Sequence, residues 1–234
     1  IEINISSTTS SEVRLINSDT PEESPYIFLK RELDHLYSIE HDPEDNRFLV
    51  ETNWLAKNFR LMAIDLKKST DKNEWSELIP HREDVLLQSA LAFPKHLVIM
   101  ERERGLRKIE IRPWNGKESH YIEFNDEAYS VYSSTNAEID TEKYRYSYSS
   151  MTTPNSVIEY DMSSKEKVVL KETEVLGGTF DKNNYVSRRV WAPARDGKQV
   201  PISLVYRKDL YKNGENPLLL YGYGSYGITN NASF

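Results

Sequence analysis

Apolar and polar residues alternate in short runs along most of the chain, and clusters of turn-forming residues separate these runs. Alternation with a period of two is typical of strands that bury one face. Tyr144, Tyr146 and Tyr148 share one face of such a run, and Arg145 and Ser147 share the other. This ladder could be an aromatic binding platform, but we interpret it as tyrosines that pack between adjacent sheets. The pattern predicts strands rather than helices up to about residue 174.

The predicted strands fall into groups of four. The unit recurs after 51 residues, from His35 to Leu86, and then after 43 residues, from Leu86 to Tyr129. A unit of four strands in about 40 to 50 residues is typical of a β-propeller blade rather than of a sandwich. We predict three complete blades and the last two strands of an earlier one, with further blades expected before residue 1. The blade strands are predicted at residues 35–40, 47–53, 58–66 and 75–79, at 85–92, 96–102, 107–114 and 119–124, and at 128–134, 144–149, 156–162 and 167–172, after a strand at 12–17.

The pattern changes after residue 174. Residues 175–184 are rich in Gly, Asn and Asp, which predicts a flexible connection. Residues 185–194 and 199–207 then alternate as the arms of a long hairpin, with Asp196 and Gly197 at its turn. We place a domain boundary near Gly177, so that residues 1–176 belong to a propeller and residues 177–234 begin a second domain.

Residues 217–227, Pro-Leu-Leu-Leu-Tyr-Gly-Tyr-Gly-Ser-Tyr-Gly, carry the candidate chemistry. The apolar run 218–221 predicts a buried strand, and Gly222, Gly224 and Gly227 predict a sharp turn that approaches another group closely. A strand ending in this way is typical of a site at the carboxyl edge of an α/β sheet. Because that sheet has barely begun when the chain ends, we expect the chain to be a piece of a longer polypeptide.

The glycine cluster allows several interpretations. Its spacing matches the dinucleotide motif G-x-G-x-x-G, but the following Ile-Thr-Asn-Asn-Ala-Ser is a poor helix start. A nucleophile elbow, G-x-S-x-G, fails because Tyr223 rather than a glycine lies two residues before Ser225. Tyr223 is a phenol fixed between glycines and able to donate a hydrogen bond to developing negative charge. A tight turn with packing tyrosines remains the alternative on these residues alone.

Composition narrows the possible classes of protein. A chain of 234 residues with 38% hydrophobic residues can bury a sizeable core, and its apolar runs are too short for a transmembrane helix. A net charge of -7 argues against a nucleic-acid partner and is compatible with cationic ligands. The lack of cysteine excludes thiolate metal sites and fits a reducing compartment, so we expect a cytoplasmic protein without metal or cofactor. The histidines, interpreted as solvated or core residues, are His35, His41, His81, His96 and His120.

A set of short motifs then occurs in a specific order. The motifs are Met-Thr-Thr-Pro at 151–154, Lys-Glu-Thr-Glu-Val at 171–175, Ala-Arg-Asp-Gly at 194–197, Val-Pro-Ile-Ser-Leu-Val-Tyr at 200–206 and Tyr-Gly-Tyr-Gly-Ser-Tyr-Gly at 221–227. With these motifs the chain resembles the oligopeptidase B branch of the prolyl oligopeptidase family of serine peptidases. Residues 34–38, 57–59, 101–102 and 104–106 are similar to the same branch. The resemblance covers essentially the whole chain and is most specific from Tyr148 to Gly227.

The resemblance implies a mainly β fold: a seven-bladed propeller, of which about three and a half four-stranded blades are present, followed by the first strands of an α/β-hydrolase domain. It implies hydrolysis of short peptides after Arg or Lys by a Ser-Asp-His triad, with the propeller restricting access. Tyr223 matches the family tyrosine that completes the oxyanion hole. The triad and the acidic residues that hold the basic side chain would lie beyond residue 234. The chain alone would then be inactive and would need the remainder of its own polypeptide.

Two alternatives remain at this point. A propeller can bind peptides or proteins without catalysis, because fold alone does not decide function. The segment after Gly177 argues against this alternative, since a propeller that only binds would not need it. A prolyl-specific oligopeptidase is the second alternative, and it would differ in a pocket outside this chain. No membrane partner is expected for either.

Overall fold

The computed structural model describes residues 1–42, 44–65, 68 and 71–234, and this part of the chain is mainly β with no α-helix. No helix within it is long and apolar enough to span a membrane. Short 3-10 helices lie at Lys72–Glu74, Lys182–Asn184, Lys208–Leu210 and Ser225–Gly227. The strands are β1 (Glu2–Ser6), β2 (Ser11–Leu15), β3 (Tyr26–Leu29), β4 (Tyr37–Asp42), β5 (Arg47–Thr52), β6 (Arg60–Asp65), β7 (Ser76–Ile79), β8 (Val85–Ala92), β9 (His96–Glu103), β10 (Leu106–Pro113), β11 (His120–Tyr121), β12 (Tyr129–Ser133), β13 (Lys143–Ser150), β14 (Thr153–Asp161), β15 (Lys167–Glu172), β16 (Tyr185–Pro193) and β17 (Gln199–Arg207).

Among the described residues, three sheets contain four strands each: β4–β7, β8–β11 and β12–β15. Consecutive strands are hydrogen-bonded neighbours in every one of them, as in propeller blades. The first strands of these sheets begin at Tyr37, Val85 and Tyr129, so the repeat is 48 and then 44 residues. The predicted grouping of strands into blades is confirmed. Residue 66, the last residue of the strand predicted at 58–66, lies outside the described part.

The N-terminal sheet differs from the prediction. It has three strands, β1–β2–β3, rather than two. The predicted strand at 12–17 corresponds to β2, and the prediction locates neither β1 nor β3; β3 is a run of only four residues that pairs with β2 through Val13, Arg14 and Leu15. A run this short carries too little periodicity to be recognised in the sequence, and its pairing with β2 defines it as a strand. Similarly, β11 keeps only two of the six residues predicted for it.

The chain divides into two compact units. The first comprises Ile1–Arg102 and Ile109–His120, and the second comprises Glu103–Lys108 and Tyr121–Phe234. The core of the first unit lies on both faces of β5, because Phe48 and Val50 join one apolar cluster while Leu49 joins another. A strand that is buried on both faces has a continuous apolar run instead of strict alternation. The domain boundary proposed near Gly177 stays a prediction.

In the second unit the tyrosine ladder of β13 belongs to the core. Tyr144, Tyr146 and Tyr148 are buried, whereas Arg145 is exposed, which confirms the predicted alternation. Phe124 stacks on Tyr148 and meets Tyr146 edge-on, with ring centroids 5.3 and 5.8 Å away. Burial raises the pKa of Tyr144 to about 12. The ladder therefore packs inside the protein and does not form an exposed aromatic platform.

The hairpin β16–β17 forms a two-stranded sheet of its own, as predicted. Its arms pair from Tyr185 with Arg207 to Pro193 with Gln199. The turn contains Gly197 with a φ of +82°, and Asp196 Oδ1 accepts a hydrogen bond from the Lys198 amide at 3.1 Å. Asp196 is thus a turn residue, because its carboxylate replaces a backbone acceptor in the loop.

One side of this hairpin contacts the turn that connects β9 to β10. The guanidinium of Arg189 donates to the backbone carbonyl of Arg104 at 2.6 Å. The Trp191 ring lies near both guanidinium groups, 4.9 Å from that of Arg104 and 5.3 Å from that of Arg189. Glu127 accepts the Arg189 amide at 3.0 Å. These contacts of Arg189, Trp191 and Arg104, called the Arg189 clamp below, explain why the short segment Glu103–Lys108 belongs to the second unit.

The buried strand predicted at residues 218–221 is absent, so that prediction is wrong for this structure. The segment is extended and exposed, and Leu219 is 92% exposed. A strand needs a neighbour that accepts and donates its backbone hydrogen bonds. No described strand pairs with this segment, and its apolar side chains are therefore not covered.

Candidate active site

Residues 222–231, called the Tyr223 loop below, follow this extended segment and contain the candidate oxyanion donor. Tyr223 is 52% exposed, and no side chain or backbone group of the described residues hydrogen-bonds its hydroxyl. Its backbone carbonyl accepts a hydrogen bond from Asn230 Nδ2 at 3.1 Å. The backbone of Tyr223 is therefore held from within the loop, while its phenol can still donate to another group.

The turn of the loop lies at Tyr226 and Gly227, which have φ values of 59° and 77°. The amide of Ile228 closes it by donating to the Ser225 carbonyl at 3.2 Å. The predicted sharp turn is confirmed at Gly227, where positive φ favours glycine. The predicted close approach is wrong for Gly222 and Gly227. A Cβ at either position would have no described atom within 4 Å beyond its chain neighbours, because the loop is exposed.

After the turn, the chain attaches to the sheet of β12–β15. Asn231 Nδ2 donates to the Tyr132 hydroxyl at 2.9 Å, and the Phe234 amide donates to Ser149 Oγ at 3.0 Å. Ala232 is buried between these two anchors, and the Phe234 ring meets Phe180 edge-on at 4.9 Å. The Tyr223 loop thus begins in an exposed segment and ends in a fixed one.

The acceptor of this attachment, Tyr132, has an unusual environment. The guanidinium of Arg107 lies 4.0 Å from the centre of the Tyr132 ring. Burial opposes ionisation of the phenol, but hydrogen bonds and the positive charge from Arg107, together with the bond from Asn231, lower the pKa of Tyr132 overall.

Other candidates for chemistry do not come together in the described part of the chain. Ser225 begins a 3-10 turn rather than a nucleophile elbow, and no described residue hydrogen-bonds its hydroxyl. No helix follows the glycines, so the dinucleotide motif has no structural support. His35 is buried with Nε2 2.8 Å from Thr52 Oγ1, and burial lowers its pKa. No group of three or more His, Cys, Asp or Glu side chains suited to a metal ion occurs among the described residues.

Sequence reasoning did not identify Asn230, Asn231 or Tyr132 as part of this site. Asn231 and Tyr132 are 99 residues apart, and in the sequence Asn230 and Asn231 are only part of a segment that is a poor helix start. No local spacing could have connected them, because the contact depends on how the chain returns to β12.

Comparisons with known proteins identify similar chains. A sequence model of the family described as "Prolyl oligopeptidase, N-terminal beta-propeller domain" matches residues 1–173. Dipeptidyl aminopeptidase BI of Pseudoxanthomonas mexicana is 38% identical over 99% of this chain and 31% of that protein. Protease 2 of Moraxella lacunata is 31% identical over 98% of this chain and 32% of that protein.

Similar solved structures lead to the same group. Oligopeptidase B from Trypanosoma brucei, in a closed form with covalently bound antipain, superposes with a TM-score of 0.88 at 30% identity. The superposition covers 100% of this chain and 34% of that one. Oligopeptidase B from Leishmania major superposes with a TM-score of 0.86 at 28% identity. The chain spans about a third of the length of the relatives it matches.

Proposed function

The chain belongs to the prolyl oligopeptidase family, and on this premise we propose that it is part of a serine peptidase that hydrolyses short peptides by acyl transfer. The observation that supports this most directly is the superposition of the whole chain on oligopeptidase B from Trypanosoma brucei. That structure carries a covalently bound ligand, and a covalent bond requires a nucleophilic residue in the enzyme.

In this proposal, residues 1–176 are part of a propeller that restricts access to the active site. Residues 177–234 begin an α/β-hydrolase domain with the hairpin β16–β17 and the segment 217–221. The apolar side chains of that segment are exposed in this structure, as expected of a strand whose sheet needs further strands. The remainder of the same polypeptide would supply those strands and the Ser, Asp and His of the triad.

Tyr223 donates a hydrogen bond to the oxyanion of the tetrahedral intermediate in this mechanism. Two observations support this role: its hydroxyl has no partner among the described residues, and its backbone is held by Asn230. A donor that is fixed before the reaction stabilises developing charge without reorganisation, which is the main advantage of an oxyanion hole.

We propose cleavage after Arg or Lys as the specificity and the cytoplasm as the location. The net charge of -7 and the similarity to oligopeptidase B support a preference for basic peptides, and the lack of cysteine supports a reducing compartment. A prolyl-specific enzyme is the alternative in the same family. Paired substrates that differ only in Arg or Pro before the scissile bond distinguish the two specificities by kcat/KM.

A second candidate function follows from the similarity to dipeptidyl aminopeptidase BI, which is 38% identical. An enzyme of that kind would need a free amino terminus two residues before the scissile bond. Peptides with a free and with an acetylated amino terminus therefore separate the two activities. An endopeptidase cleaves both peptides, whereas a dipeptidyl aminopeptidase cleaves only the free one.

The full-length protein provides the test of the peptidase proposal. We expect it to be labelled stoichiometrically by a serine-directed phosphonate and to release a reporter from Arg-containing peptides. Peptide binding without labelling or hydrolysis would contradict the proposal and favour a propeller that only binds peptides.

The role of Tyr223 has a separate test in the same protein. Tyr223→Phe removes one donor and keeps the ring, so we expect kcat to fall about 10² to 10³-fold, or roughly 2.7 to 4 kcal/mol, with little change in KM. Tyr226→Phe is the matched control, because Tyr226 is 91% exposed and lies in the same loop. Equal losses of kcat in the two variants would contradict an oxyanion role for Tyr223.

A further inference from the structure

We propose that Asn230 and Asn231 are positioning residues that hold the Tyr223 loop on the sheet of β12–β15 and thereby place the Tyr223 phenol for catalysis. The inference rests on the proposed function of Tyr223. The two side-chain amides are adjacent in the chain, but Asn230 hydrogen-bonds within the loop and Asn231 hydrogen-bonds to the sheet.

The amide of Asn230 fixes the residue that carries the phenol. Its Nδ2 donates to the Tyr223 carbonyl at 3.1 Å across seven residues and closes the loop. The bond acts on the backbone of Tyr223, so it restricts the position of the Cα from which the phenol extends. It leaves the hydroxyl untouched, as a positioning residue must.

The amide of Asn231 fixes the loop to the rest of the unit. Its Nδ2 donates to the Tyr132 hydroxyl at 2.9 Å, and Tyr132 lies on β12 with Arg107 over its ring at 4.0 Å. Ala232 is buried directly after this bond. The side-chain hydrogen bond of Asn231 therefore attaches the loop to a paired strand, and the bond from the Phe234 amide to Ser149 Oγ holds the residues that follow on the same sheet.

The rest of the loop has little else to hold it. Every residue from 217 to 230 is exposed, and no described strand pairs with this segment. An exposed loop without packing samples many conformations, and fixing each of its residues costs backbone entropy. Two well-placed hydrogen bonds can restrict this freedom, and the benefit would appear as a higher kcat, since the donor acts in the transition state.

The first test compares variants of the full-length protein. Asn230→Ala removes the donor to the Tyr223 carbonyl, and Asn230→Asp replaces that donor with an acceptor of the same shape. We expect both to lower kcat about five- to tenfold, the equivalent of one hydrogen bond, with KM and the melting temperature nearly unchanged. Ser233→Ala is the control, because Ser233 is exposed in the same segment and should leave kcat unchanged.

A double-mutant cycle separates positioning from a general structural effect. If Asn230 acts through the Tyr223 hydroxyl, Asn230→Ala should cause no further loss of kcat in a Tyr223→Phe background. By the same reasoning, Tyr132→Phe and Asn231→Ala should have equal and non-additive effects on kcat. Additive losses, or a matching fall in melting temperature, would overturn the inference while the role of Tyr223 stands. No loss of kcat in Tyr223→Phe alone would instead overturn the proposed role of Tyr223, and this inference with it.

Discussion

At the scale of single residues, Gly105 combines two constraints. Its φ is +79°, and a Cβ there would lie 2.7 Å from Arg189 Nη2, the group that donates to the Arg104 carbonyl. Gly197 has the same kind of backbone, with a φ of +82°, but no described atom within 4 Å of a Cβ beyond its chain neighbours. Substitutions at the two glycines therefore distinguish the cost of backbone strain from the cost of a clash with the Arg189 clamp.

We expect Gly105→Ala to destabilise the full-length protein more than Gly197→Ala. Both substitutions incur the left-handed strain of about 1–2 kcal/mol, and Gly105→Ala in addition displaces the Arg189 guanidinium, which costs roughly one more hydrogen bond of about 1 kcal/mol. Urea denaturation of both variants measures the difference. Equal losses would mean that Arg189 moves aside without cost.

Glu51 gives a prediction of pH dependence at the same scale. Burial raises its pKa to about 7 from the usual 4.5, and Ser38 donates its hydroxyl to it at 3.5 Å. Between pH 4.5 and about 7 the unfolded chain releases this proton while the folded chain keeps it. The contribution of protonated Glu51 to the free energy of unfolding is therefore complete below pH 4.5, falls as pH rises to about 7 and stays low above that.

Glu51→Gln should remove this dependence because an amide does not ionise. We expect the variant to melt at a higher temperature than the parent at pH 8 and at a similar temperature at pH 4.5. Glu118→Gln, at an exposed position, is the control and should not change the pH profile. A parallel shift of the Glu51→Gln curve at both pH values would contradict ionisation as the cause.

At the scale of elements, two of the three buried tyrosines of strand β13 differ in their hydrogen bonding. The Tyr148 hydroxyl donates to Asp126 Oδ2 at 2.5 Å, whereas the buried Tyr146 hydroxyl has no partner among the described residues. Both rings pack against Phe124. The strand thus offers two substitutions that keep the ring and remove only an oxygen.

Tyr148→Phe should destabilise the protein by about 1.5–3 kcal/mol, because it removes a hydrogen bond to a carboxylate. Tyr146→Phe should be neutral or stabilising, since it removes a buried polar group that has no partner. Thermal unfolding of the two variants measures both effects. Similar losses would show that the Tyr146 hydroxyl has a bonding partner in solution.

At the scale of the whole molecule, the proposed activity depends on groups that no motif of this chain provides. An oxyanion donor stabilises a transition state only when an activated nucleophile forms it. We therefore expect the 234-residue chain, produced alone, to show no burst of acylation with a serine-directed phosphonate, in contrast to the full-length protein. Acylation of any residue of the isolated chain would contradict this expectation.

The sequence by itself determined the elements whose causes are local. In a strand, successive side chains point to opposite faces, so the alternation along β13 and the apolar run of β5 can be recognised in the sequence. Asp196 and Gly197 determine the turn that they form through their own backbone preferences. The repeat of four strands therefore emerged from periodicity alone. Tyr223 could be singled out as a candidate because its neighbours in the chain are glycines.

The tertiary structure decided which distant groups meet. Arg189 reaches Arg104 across 85 residues and Asn231 reaches Tyr132 across 99 residues, and no pattern within either segment specifies its partner. The same reason explains the wrong prediction of a buried strand at residues 218–221. An apolar run indicates that a segment can be buried, but burial and strand pairing require a neighbour, which only the folded arrangement of the whole chain provides.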